Sequence, residues 1–423
     1  MSGAAASSRF AFASVTALFF GWGFICANND PLLAAARRVF GLGYTQALLT
    51  QITSFAAFFL MSLPAAAMLS RLGPIRAIWV ALASMTAGCL AMQFIRFLPD
   101  FTVVLAAVFV LASGVTALQV AANPLVAALG PPERSHYRLT LVHSFNALGM
   151  VCGVHFGAGF VLTGPAFQST APIRSAAERA SGIEAMAQAY LVMALLLACL
   201  IAATIATRRT IAAAAAPEPP AAGGALTALR SSWALLGALG IALYVGAEVT
   251  IGSILILYLA QADTLALPLD TAAARVASLY WGGALVGRFV GSWLLRHLPA
   301  ARLLTTAGLA AASLCLASLV LPGPASAWCL LATGLCNSIM FPTIFALSLE
   351  RSAAPATATS GLLVLAVGPG AALPLLAGGI ADWAGLRWAF AVPVLAYLYI
   401  AGFAFAATGF TKDQHGHSPP LFS

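Results

Sequence analysis

The chain has 423 residues, of which 61% are hydrophobic and only 8% charged, with a mean hydropathy of +0.95. A soluble globular protein carries roughly a quarter charged residues, so this composition excludes a soluble enzyme, a disordered chain and a secreted disulfide scaffold. Twenty Lys+Arg against twelve Asp+Glu leave a formal charge of +8, but the arginines stand mostly singly between apolar runs, which is a topology pattern and not a nucleic-acid patch.

A spanning helix needs about 20 apolar residues. Runs of that kind predict spans at 10–36, 44–70, 75–96, 101–129, 138–165 and 186–207. The run after Arg9 is too long for a signal peptide and contains Asn28-Asn29-Asp30, so it reads as the first span. Arg208-Arg209 and the stretch AAAAAPEPPAAGG follow, up to Arg230; this Ala/Pro/Gly segment reads as a linker. A second set is predicted at 232–260, 272–295, 301–321, 325–349, 359–383 and 386–408.

The expected architecture is an all-α membrane protein with twelve transmembrane helices in two six-helix bundles. The bundles are 1–207 and 232–410, joined by a cytoplasmic linker 208–231 and followed by a cytoplasmic tail 411–423. The halves echo each other. LSRLGPIR after the second span matches LLRHLPAAR after the eighth, and Asn123-Pro124 in the fourth span matches Phe341-Pro342 in the tenth. Together with Asp30-Pro31 and Gly368-Pro369-Gly370, these prolines predict broken helices in spans one, four, ten and eleven.

With both ends inside, the inner segments hold Arg9, Arg71, Arg76, Arg134, Arg138, Arg208, Arg209, Arg230, Arg296, Arg302, Arg351 and Lys412. The outer segments hold Arg37, Arg38, Arg96, Arg174, Arg179, Arg275 and Arg387. Twelve against seven favours cytoplasmic termini. Seven cysteines lie inside apolar runs with no CxxC or zinc spacing, so they read as packing residues and no metal or cofactor is expected.

A charge at membrane depth is expensive and marks function. Two acids fall there. Asp30 lies in the outer half of the first span, and Glu248 lies 15 residues from both Trp233 and Asp263, close to the midplane. A carboxyl that is neutral when loaded and charged when empty is what proton coupling requires, so both are candidate proton carriers. Neutral polar residues add candidate substrate contacts. Gln119 and Asn123 share a face of the fourth span, and His143 and Asn146 share one of the fifth. Asn29, Tyr280 and Asn337 join them, with Glu248. Amides and carboxylates suit sugar hydroxyls because they donate and accept. Glue between helices is the alternative for each Asn or Gln. His143 reads as a gate residue or a proton relay, and Arg288 as one half of a structural ion pair.

The motifs then become specific. FFGWGFICANNDPLL (19–33) and YTQALLTQITSFAAFFLMSLPA (44–65) resemble the first two helices of the fucose:proton symporter family of the major facilitator superfamily. LASGVTALQVAANPLVAALGP, RLTLVHSFNALG, YVGAEVTIGS, YWGGALVGRFVGSWL, NSIMFPTIFALSL and SGLLVLAVGPGAALPLL resemble later ones. The resemblance implies the facilitator fold, a sugar substrate and symport by alternating access. Asp30 corresponds to the family's first-helix acid. Gln119 stands where the fucose branch has a glutamate and Glu248 where it has a glutamine, a combination similar to the glucose/galactose branch.

The expected function is proton-coupled uptake of a hexose, glucose or galactose, across the inner membrane by a monomer. The partners are the sugar, the proton and the bilayer, with no nucleic acid. L-Fucose or another monosaccharide, and sodium as the coupling ion, are alternatives; so are an exporter or a non-transporting sugar sensor on the same fold. No HExxH or GxSxG motif points to an enzyme.

Overall fold

The computed structural model describes residues 2–28, 32, 35, 36, 38–42, 49–161, 175–214, 225–267, 271, 272 and 275–409. Among these, the regular structure is helical. The first half contains α1 (Ser2–Ala27), α2 (Leu49–Leu72), α3 (Pro74–Ala91), α4 (Phe101–Ala128), α5 (Ser135–Val161) and α6 (Ala176–Ala214). The second half contains α7 (Ser232–Leu259), a π turn (Val276–Trp281) leading into α8 (Gly282–Leu294), and α9 (Ala300–Val320). It continues with α10 (Gly323–Asn337), α11 (Met340–Arg351), α12 (Ala356–Leu365), α13 (Ala372–Ala384), α14 (Leu386–Ala389) and α15 (Ala391–Thr408).

Among the described residues, ten helical runs are long and apolar enough to cross a bilayer, with α10–α11, α12–α13 and α14–α15 each forming one run. The other two spans are α5 and the π turn with α8. The 27 residues of α5 reach about 40 Å at 1.5 Å per residue. Its apolar signal is diluted by Arg138, Thr140, His143, Ser144 and Asn146, all of them buried. The exterior is the reverse: Trp383 (88% exposed), Leu375 and Phe405 stand outward, as expected when lipid is the solvent.

Three prolines explain where spans break and where they do not. Pro342 has no N–H for the Ser338 carbonyl and its ring crowds that turn. The tenth span accordingly breaks just before it, at Ser338-Ile339. The eleventh span breaks around Pro369. The fourth does not break, contrary to the expectation from Asn123-Pro124: α4 runs unbroken through Pro124. The carbonyl left free by Pro124 belongs to Val120, and Ser360 Oγ of α12 donates to it at 2.8 Å. A borrowed hydroxyl thus keeps the helix intact. The sixth span is also longer than expected. It starts at Ala176 and continues to Ala214, because the alanine run after Arg209 is an excellent helix former.

α1 and α5 pack through glycines. A Cβ at Gly23 would strike the Asn146 carbonyl, and one at Gly149 would strike the Phe20 carbonyl. These contacts bring the backbones together as small-residue interfaces do in membranes, and they set the α5 face on which His143 and Asn146 sit. Gly149→Val is expected to destabilise the purified protein by about 1–3 kcal/mol or more through overpacking. An unchanged thermal midpoint in detergent would show that this approach is not needed.

Candidate functional site

A cavity of about 400 Å³ lies between the two halves. Gln119 of α4 and His143 and Asn146 of α5 line it from the first half, and Glu248 of α7, Arg288 of α8 and Phe341 of α11 from the second. Trp22 of α1 and Tyr244 of α7 complete the deep wall.

The charged wall is one connected network. Tyr244 Oη donates to Glu248 Oε1 at 2.7 Å, as their i,i+4 spacing on α7 permits. Arg288 Nη2 lies 3.9 Å from the same oxygen. The two side chains are only 15% and 17% exposed, Glu248 and Arg288 respectively. The Arg288 Nε–H donates to the Ser338 carbonyl at 3.3 Å, the carbonyl that Pro342 leaves without its helical donor. Tyr244 Oη also lies 3.2 Å from the Asn337 carbonyl.

Tyr280 and Asn337, expected as substrate contacts, support this wall from behind. Both are fully buried and neither lines the cavity. Tyr280 Oη donates to the Glu248 backbone carbonyl at 3.0 Å, and Asn337 Nδ2 donates to Tyr280 Oη at 2.9 Å. Asn123 is likewise behind the lining: its Oδ1 lies 3.3 Å from His143 Nε2, which donates to it. Asn123 Oδ1, Asn337 Nδ2 and Tyr280 Oη are bonded to protein groups, while Asn123 Nδ2 and Asn337 Oδ1 are buried without a hydrogen-bond partner among the described residues. None of the three residues lines the cavity, so they shape the wall from behind.

His143 is enclosed by aromatic rings, with centroids of Phe19, Trp22 and Phe341 at 5.2, 5.9 and 5.3 Å. Asn146 Nδ2 donates to the Phe19 carbonyl at 2.9 Å, which orients its amide at the cavity edge. Asn29 and Asp30 lie outside the described residues. Trp22, Tyr244 and Phe341 were not singled out as contacts by the sequence. Tyr244 had a signal, its spacing from Glu248; Trp22 and Phe341 looked like the aromatic packing around them.

At the end of the molecule where α4 meets α5, the halves touch directly. Ser135 Oγ donates to Glu350 Oε1 at 2.7 Å, and His136 Nε2 lies 2.9 Å from that oxygen. The Arg296 guanidinium stacks 4.9 Å over the Tyr137 ring. With the Ser360–Val120 bond, these contacts shut this end. The cavity extends from Gln119 toward the opposite end, along Val115, Leu111 and Val108 of α4.

Residues 10–373 match the family model described as Major Facilitator Superfamily. The chain belongs to the major facilitator superfamily. It is 39% identical over 392 residues to the glucose/galactose transporter of Brucella abortus, covering 93% of this chain and 92% of that one. It is 31% identical to the putative glucose/galactose transporter of Helicobacter pylori, covering 97% and 99%. It is 28% identical to the L-fucose-proton symporter of Escherichia coli, covering 93% and 92%. Among solved structures, the major facilitator transporter FucP in its outward conformation superposes with a TM-score of 0.80 at 24% identity, covering 95% of this chain and 99% of that one. Two six-helix bundles around a central cavity are thus the major facilitator fold, and the protein is a multi-pass membrane transporter.

In this facilitator, Arg288 is tied to both the carboxylate and the broken backbone of the tenth span. Removing one partner of a buried pair is costly. At 3.9 Å and beside a cavity, the cost sits at the low end of that range, about 3 kcal/mol. Arg288→Gln is therefore expected to lower the thermal midpoint, and adding Glu248→Gln should restore much of the loss. Equal stability of the single variant and the wild type would show that the pair holds nothing in place.

Proposed function

We propose that the protein is a proton-coupled symporter that carries a hexose, glucose or galactose, into the cell by alternating access. The lining of the central cavity carries this reading. Gln119, Asn146 and Glu248 can exchange hydrogen bonds with hydroxyls, while Trp22 and Phe341 offer flat apolar faces to a pyranose ring. A volume of about 400 Å³ lies within the range typical of small-molecule sites. The names of the relatives at 39% and 31% identity support glucose or galactose as the substrate, and the symporter among the relatives supports the proton as the coupled ion.

In this reading Asp30 is the principal proton carrier and Glu248 the second. A protonated Glu248 no longer attracts Arg288 and can donate to a sugar hydroxyl; a charged one closes onto Arg288 and Tyr244. The bundles 1–207 and 232–410 would rock about the site, with the protein a monomer in the inner membrane and both termini in the cytoplasm. The excess of arginine on one side supports that orientation. The Ser135–Glu350 end is then cytoplasmic, and the conformation is outward-facing.

Labelled galactose counterflow in proteoliposomes tests the assignment. Competition by glucose but not by L-fucose is the expected result. Competition by fucose would mean that Gln119 and Glu248 do not set specificity, and no counterflow with any hexose would remove the substrate claim. Asp30→Asn is expected to abolish uphill uptake while sparing exchange; a variant that still concentrates sugar would end the coupling role. Glu248→Gln should weaken sugar binding measured by calorimetry, and unchanged binding would take Glu248 out of the site.

A further inference from the structure

A second recess shares no lining residue with the central cavity and lies where the α2–α3 turn meets the end of α6. It is an open groove of about 750 Å³. Three arginines line it: Arg76 in the first turn of α3, and Arg208 and Arg209 near the end of α6. All three are exposed, and among the described residues none of them forms an ion pair or hydrogen bond. They differ in this from Arg96, Arg138, Arg288 and Arg351, each of which is bonded to a carboxylate or a carbonyl. The rest of the lining is apolar or aromatic, including Leu72, Ile75, Leu125, Ile211 and Trp79.

The geometry is built by two local features. Gly73 takes φ 75°, which lets the chain turn sharply into Pro74 at the start of α3. No side chain caps this helix start, so the positive end of the α3 dipole adds to the arginine charge. Meanwhile α6 runs past Thr207 without a break, as far as Ala214, and that carries Arg208 and Arg209 alongside the turn. Had the helix ended where the polar residues begin, the three guanidinium groups would not share a recess.

Three unmatched cations within one recess repel each other, and a multivalent anion would relieve that repulsion. Guanidinium groups match phosphate oxygens in geometry. The apolar floor and the indole at the end of the span match glycerol and acyl chain and not a hydrated ion. We propose that this groove binds the phosphate headgroup of an anionic phospholipid from the surrounding bilayer. Basic recesses between transmembrane helices are suited to such headgroups. The bound lipid would brace α6 against the α2–α3 turn, on the outer surface of the first bundle and independently of the sugar site.

The test uses the full-length purified protein, delipidated in detergent and titrated with phosphatidylglycerol, phosphatidylcholine or inorganic phosphate, with native mass spectrometry as the readout. Phosphatidylglycerol is expected to bind and phosphatidylcholine to bind at least tenfold more weakly. The triple variant Arg76→Gln, Arg208→Gln, Arg209→Gln should lose roughly a hundredfold in phosphatidylglycerol affinity, since each cation contributes about 1 kcal/mol. Its three sites are exposed, and unchanged circular dichroism would confirm that it folds. The single variant Arg76→Gln, expected to show a smaller loss, gives a second reading should the triple variant misfold. Equal retention by variant and wild type would mean that the arginines serve topology alone, which overturns the proposal. Arginine-dependent binding of inorganic phosphate as tight as that of the lipid would also overturn it, by making the groove a site for soluble anions.

Discussion

A carbonyl without a donor inside a membrane costs several kcal/mol, and the central site is arranged around one. Pro342 withholds an N–H from Ser338, and the Nε–H of Arg288 takes its place at 3.3 Å. The same guanidinium then lies within 3.9 Å of Glu248, whose carboxylate is held by Tyr244. A charge that would be hard to keep at this depth is therefore fixed by a backbone defect on one side and a carboxylate on the other. The defect is more than a hinge, because it decides where the cation sits and hence which acid it faces.

The other half has the same defect and a different solution. Pro124 frees the Val120 carbonyl, and Ser360 supplies a neutral hydroxyl from across the bundle interface. The two prolines fall at similar places in the fourth and tenth spans, so the repeats share the problem and diverge in the donor. The difference follows function. In the proposed alternating-access cycle a bond between bundles would break each time, and a neutral hydrogen bond contributes only about 1 kcal/mol net. A bond within one bundle survives the cycle, so it can be strong and charged.

Much of this was readable from residue pattern. Twelve apolar runs, an acid inside the seventh span at Glu248 and the cavity-lining Gln119, His143 and Asn146 all follow from spacing and polarity. What was not readable is the distinction between a polar side chain that meets the cavity and one that braces the wall behind it. Asn123, Tyr280 and Asn337 have the composition of contacts, but which neighbour takes their hydrogen bonds depends on packing between helices distant in sequence. The unbroken α4 was hidden for the same reason: its rescue comes from Ser360, 240 positions away. The length of α6 was hidden by composition, because Ala/Pro-rich sequence reads as linker until one separates the helix-forming alanines from the prolines that follow.

Two helices connect the site with the closed end. α5 begins with Ser135 and His136 at the closed end and carries His143 at the cavity, ten residues or fewer along one rigid helix. α11 carries Phe341 in its first turn, at the cavity, and reaches Glu350 at the closed end. The two helices meet at both levels, through His143 and Phe341 with ring centroids 5.3 Å apart, and through Ser135, His136 and Glu350. If the bundles rock about the site, as proposed, α11 turns against α5 about the His143–Phe341 contact when the closed end separates. In that reading, separating Glu350 from His136 would turn the ring contact at the aromatic floor of the cavity, and a ligand seated against that floor would change the free energy of opening. Because such linkage is reciprocal, whatever weakens the closed end must also alter affinity in the cavity, although the two lie about 10–15 Å apart along the helix.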